Sequence, residues 1–171
     1  MPPRGQPLPP HRAEVGARGG DLAFLTPDWN RYLDRLPLGN PTKLADLYKL
    51  RFDDILDYAV ALGQRLNLAD NRHLQEACEL SYRTAPTTPS VVKTSYMGLS
   101  RILERENIIE AVEASVGIDY LEGWVPRKLL DGTKLEVRCF GARAPHIVAG
   151  NAPALSVWSI LRNMVLRSDA V

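Results

Sequence analysis

The sequence predicts an α/β chain: a helical N-terminal region followed by the start of a strand–helix–strand unit. Three observations carry this. Ile55, Leu56, Ala59, Val60, Leu62, Gly63 and Leu66 recur at the helical period and form one apolar stripe. Further on, Leu135 to Phe140 (LEVRCF) alternates as a half-exposed strand does, and His146 to Ala149 (HIVA) is short, apolar and β-branched between Pro145 and Gly150, as a buried strand would be. After a tight Gly150-Asn151 turn, another helical pattern runs through Leu155, Trp158, Ile160, Leu161, Val165 and Leu166, and Ala170-Val171 reads as a second strand just beginning.

The elements follow in chain order. Residues 1–20 (MPPRGQPLPPHRAEVGARGG) are rich in Pro, Gly and Arg and poor in large apolar groups, so a disordered tail is expected. The helical region then spans 21–130. Trp29, Tyr32, Leu33 and Leu36 have helical spacing, broken by Pro37 to Pro41. The helix carrying the long apolar stripe has Asp53, Asp54 and Asp57 near its start, where the macrodipole favours them. Asn71 to Tyr82 shows Leu74, Ala77, Cys78 and Tyr82 on one face. Thr88 is a good N-cap and Pro89 fits the first position of the next helix. A further helix over Asn107 to Ser115 ends at Gly117. Residues 131–171 form the α/β part. A domain does not usually stop where a strand begins, so the α/β part is expected to be incomplete and the chain a fragment.

Bulk properties exclude several function classes. The chain has 171 residues, enough for a sizeable core, with 45% hydrophobic and 24% charged residues. A net charge of +1 provides no global field for nucleic acid or an anionic membrane. No stretch is apolar enough, for long enough, to span a bilayer. The N-terminus lacks the apolar segment of a secretory signal, so a cytoplasmic setting is expected, with both thiols free. Cys78 and Cys139 form no CxxC pair and no histidine cluster accompanies them, so no metal site is expected.

The chemistry points to the turn at Ala149, Gly150 and Asn151. In α/β sheets ligands bind beyond the carboxyl ends of strands, at the strand-to-helix turns. Asn151 offers a carboxamide donor that cannot ionise, suited to the oxyanion of a tetrahedral acyl intermediate. The residue suits capping the following helix equally well. His146 reads as a packing residue at the start of a strand rather than a base, and Trp124 and Trp158 as core aromatics. Arg143 with His146 could hold phosphate groups through charge-assisted hydrogen bonds. Cys78, on an apolar helix face, reads as core, and strand alternation sets Cys139 on the face opposite Arg138, away from an activating cation.

The segment HIVAGNAPALSVWSILRNMVLRSDAV, with IDYLEGWVPR at Ile118 to Arg127, resembles the LuxC-type long-chain fatty-acyl-CoA reductases of bacterial bioluminescence, members of the aldehyde dehydrogenase superfamily. The likeness is most specific at His146 to Pro153 and weaker in the helical region around FDDILDYAVALGQRL. It implies an aldehyde-dehydrogenase-like fold, whose Rossmann-like nucleotide-binding domain would begin in 131–171. It further implies reduction of a fatty acyl-CoA thioester to the aldehyde by NADPH (or NADH) through an acyl-cysteine intermediate. On the matching turn, Asn151 would stabilise the oxyanion, and the backbone of Val148, Ala149 and Gly150 would lie along the cofactor. Ala149 and Gly150 replace the superfamily's usual Pro-Trp, so only backbone contact carries over there. The family's catalytic cysteine would fall beyond Val171, and the chain alone is expected to be inactive. The whole enzyme would be a homo-oligomer or part of a reductase complex. The competing expectation is a non-catalytic helical interaction or assembly module.

Overall fold

A computed structural model describes residues 11–15, 22–26, 28, 30, 32–38, 40–149 and 152–171. The protein is mixed α/β. An antiparallel pair comes first, β1 (His11–Val15) against β2 (Leu22–Thr26), with His11 opposite Thr26 and Val15 opposite Leu22. Short 3-10 turns follow at Leu33–Arg35, Pro41–Leu44 and Leu47–Lys49. The helices are α1 (Phe52–Arg65), α2 (Arg72–Thr84), α3 (Pro89–Met97), α4 (Leu99–Ile102), α5 (Arg105–Glu113) and α6 (Ile118–Glu122). A hairpin of β3 (Val125–Lys128) and β4 (Lys134–Val137) leads to β5 (Arg143–Ala144), α7 (Pro153–Val165) and β6 (Asp169–Ala170).

The amphipathic stripe of α1 does what its period requires. Phe52, Ile55, Leu56 and Ala59 are buried in the main core, where they meet Leu103, Ile108 and Val112 of the α4–α5 region, Leu121 of α6, and Leu161 and Val165 of α7. A smaller core joins α2 to α3 through Cys78, Ala85, Val92, Tyr96 and Leu99, and the Tyr96 hydroxyl is satisfied by the Ser81 hydroxyl at 2.9 Å. Val157 of α7 packs on both clusters, so α7 is the shared wall.

The helix boundaries follow the caps. Asn71 Oδ1 accepts from the N–H groups of His73 and Leu74 at the start of α2, while its Nδ2 donates to Arg65 O at the end of α1. One side chain thus closes two helix ends. Pro89 occupies the first turn of α3. Gly117 takes φ +86 and returns its N–H to Val112 O, which ends the α5 segment as the sequence predicts.

Three expectations give way. The expected tail 1–20 contains strand β1 at His11–Val15; its other residues lie outside those described. The helical spacing of Tyr32, Leu33 and Leu36 yields only a 3-10 turn, with Leu33 exposed, because Pro27 and Pro37 bracket a window too short to make a packed helix; Trp29 lies outside the described residues. The strand expected at His146 to Ala149 is absent: the ladder forms two residues upstream, at Arg143–Ala144, and Ile147 and Val148 are exposed. A β-branched run in a parallel sheet is buried only when further strands and helices cover it. Among the described residues β5 pairs with β6 alone.

Asn71→Ala is expected to lower stability by about 1–2 kcal/mol, whereas Asn71→Asp, which keeps the acceptor, costs less. Urea unfolding of both variants checks this. Equal losses would show that the bond to Arg65, not the cap, matters.

Candidate functional site

The α/β unit is small and internally consistent. β5 and β6 run parallel, with Arg143 opposite Asp169 and Ala144 opposite Ala170. The Val171 N–H donates to Ala144 O at 3.1 Å, and the His146 N–H donates to Val171 O at 2.8 Å. Across the ladder the Arg143 guanidinium grips the Asp169 carboxylate, Nε lying 2.7 Å from Oδ2 with a second bond from the terminal nitrogen. Both side chains are part-buried, so this charged pair fixes the register of an otherwise short ladder. Arg143 is therefore engaged within the fold, which sets aside the phosphate role its sequence position allowed.

Gly141 fits this unit against the core. A Cβ there would sit 2.3 Å from Leu166 O and 2.5 Å from Arg167 O, closer than any real side chain allows. Its own carbonyl accepts from the Tyr48 hydroxyl at 2.7 Å, and the neighbouring Ala142 N–H donates to the Ser168 hydroxyl at 3.2 Å. The Phe140 ring meets Tyr48 and Trp124 edge-on at centroid distances of 5.2 and 6.1 Å, with the Arg138 guanidinium over it. The backbone leaving β4 is thus pinned before it enters β5.

The turn from β5 to α7 carries the residues the sequence singles out. His146 is half-buried, and among the described residues its Nε2 is buried with no hydrogen-bond partner. Val148 and Ala149 are exposed at the carboxyl end of β5. Gly150 and Asn151 lie outside the described residues. The N-cap position of α7 is Ala152, followed by Pro153 in the first turn, and no side chain caps it. Asn151 therefore precedes the capping position.

The two cysteines sit elsewhere. Cys78 is buried in the smaller core, beside a cavity of about 450 Å³ shared with Tyr82, Glu79 and Lys93. A hydrogen bond with Cys78, then burial and the nearby Cys78 and Glu79 charges, push the Tyr82 phenol up to about 12. Cys139 packs against the main core, and its N–H donates to Tyr120 O at 2.8 Å. A cavity of about 420 Å³ flanks β5 between Leu38, Leu44, Tyr48 and Arg143. A smaller one of about 180 Å³, lined mainly by Ile108, Val112, Trp158 and Leu161, lies between α5 and α7. Among the described residues no group of three or more His, Cys, Asp or Glu is placed to hold a metal ion, and no helix is long and apolar enough to cross a membrane.

The fold and the turn define a class: a mixed α/β chain with two parallel strands bridged by one helix. No protein-family model, no curated protein and no solved structure matches the chain.

Gly141→Ala is expected to cost roughly 1–3 kcal/mol by forcing two backbone segments apart. Thermal unfolding measures it. A neutral substitution would mean that the chain entering β5 does not lie against the end of α7.

Proposed function

We propose that this chain supplies the acyl-binding turn of an NADPH-dependent reductase of long-chain fatty acyl-CoA. The observation that carries the proposal is the β5–α7–β6 unit, which brings Val148 and Ala149 past the carboxyl end of a parallel strand, where α/β folds bind ligands. Val148 and Ala149 are open to solvent there, so their backbone is accessible to a cofactor, and the first turn of a thirteen-residue helix adds a positive dipole end.

In this reading a cysteine thiolate attacks the thioester carbonyl, the carbonyl oxygen becomes an oxyanion, and the Asn151 amide donates to it. Coenzyme A leaves as its thiolate and an acyl-cysteine remains. NADPH, with NADH as the alternative, supplies the hydride that releases the aldehyde. Neither Cys78, buried in the α2–α3 core, nor Cys139, packed on the main core, belongs to the turn. The thiolate comes from another part of the enzyme, which acts in the cytoplasm as a homo-oligomer or within a reductase complex.

A second reading, a non-catalytic helical assembly module, draws on Ile147, Leu155 and Ile160. These apolar side chains lie exposed on the turn and on α7, where a partner would cover them. It differs from the first in requiring no turnover in any context.

In the enzyme that carries this sequence, Asn151→Ala is expected to lower acyl-CoA reduction by about 10²–10³ while NADPH affinity stays unchanged. The 171-residue chain by itself should form no aldehyde. Unchanged turnover in the variant, or aldehyde formation by the chain alone, would sink the reading.

A further inference from the structure

The hairpin of β3 and β4 projects with little cover. Along β3 only Val125 is part-buried, and along β4 only Leu135. A two-stranded hairpin exposed on both faces is marginal in water, and sheets gain independent stability from a third strand onward. The question is which edge can accept one, and from what.

The hydrogen-bond parity answers the first part. The Leu129 N–H donates to Thr133 O at 2.8 Å, so that pair faces inward across the hairpin. Alternation along the register then turns the Arg127–Leu135 and Val125–Val137 pairs inward, and the backbone groups of Lys128, Lys134, Pro126 and Glu136 outward. On β3 the outward positions are Lys128 and Pro126, and Pro126 has no N–H to offer and blunts that edge. On β4 the outward positions are Lys134 and Glu136, both exposed and both able to donate and accept.

The side chains answer the second part. The run Lys134-Leu135-Glu136 is self-complementary when paired antiparallel with itself about Leu135. That register sets each Lys134 opposite the other copy's Glu136, in the hydrogen-bonded positions that the parity makes available. It also brings the two Leu135 side chains together at the closer, non-hydrogen-bonded site. The neighbouring registers of the same parity set Lys134 opposite Lys134, or Glu136 opposite Glu136, and like charges repel. We propose that β4 is the edge through which two copies of this chain associate, forming a four-stranded antiparallel sheet β3-β4-β4-β3 about a twofold axis. The contact is isologous and closes on itself, so it ends at a dimer. It is independent of the acyl-reductase reading, since no residue of the β5–α7 turn takes part.

Charge reversal tests it. The purified 171-residue chain is expected to sediment as a dimer in equilibrium with monomer at micromolar concentration. Lys134→Glu and Glu136→Lys should each weaken the dimer about tenfold or more, because each sets two like-charged pairs face to face. The double variant Lys134→Glu/Glu136→Lys restores complementarity and should dimerise as the parent does. The decisive arm mixes the two single variants, which are complementary to one another and should form a mixed dimer. Far-ultraviolet circular dichroism shows that each variant is folded. A parent chain that stays monomeric overturns the proposal, as do single variants that dimerise undiminished or a mixture that fails to associate.

Discussion

The buried guanidinium of Arg167 ties the fold together. It donates to Leu121 O at the end of α6 and to the Glu122 carboxylate, and the same carboxylate oxygen accepts the Phe52 N–H at 2.9 Å. Three places distant in sequence meet there: the start of α1, the end of α6 and the corner between α7 and β6. The pair replaces a local cap, since the N-cap residue of α1, Arg51, makes no side-chain capping bond. Arg167 also occupies the position after the α7 C-cap where a glycine is usual. Its φ is +54, the Ser168 N–H reaches back to Asn163 O, and its own N–H reaches Met164 O. A side chain in that conformation costs about 1 kcal/mol or more. The bonds made by the buried guanidinium offset that cost, and a glycine would forfeit them.

From that corner the α/β unit follows. Holding Arg167 in place directs the chain into β6, where Asp169 meets Arg143 and sets the register with β5. The carbonyls of Leu166 and Arg167 form the surface on which Gly141 rests, so the strand before the turn is placed by the corner that ends the helix after it. The placement of β5 before α7 therefore depends on contacts made at the far end of that helix. The β3–β4 hairpin lies apart from this arrangement, with edges shaped by Pro126 and by the charges of Lys134 and Glu136.

What was legible in the sequence is what is local. The α1 stripe, Pro89 at the start of α3 and Gly117 after α5 each act within one or two turns of chain, and each stands where expected. The strand–helix–strand order around α7 was legible too, because its helical period is long and its turn residues are distinctive. The exact strand was not: the apolar HIVA run looked the better strand, yet the ladder forms at Arg143–Ala144, where an ion pair to Asp169 decides it. The β3 strand was hidden because Val125-Pro126-Arg127-Lys128 has no alternation, and only pairing with β4 extends it. The tertiary cap from Glu122 to Phe52 and the left-handed Arg167 break local rules and leave no local signal. Asn151 was singled out by its residue type and by resemblance, and no distance or period could have assigned its role.

The dependence on the Arg167–Glu122 contact is open to a direct measurement. Stability by urea unfolding of Arg167→Met, Glu122→Gln and the double variant closes a thermodynamic cycle. A coupling above about 1 kcal/mol is expected, because removing the Glu122 carboxylate strands the Arg167 guanidinium in a buried place. Losses that add to within about 0.5 kcal/mol would show two independent side chains, and the corner would then owe its position to apolar packing alone.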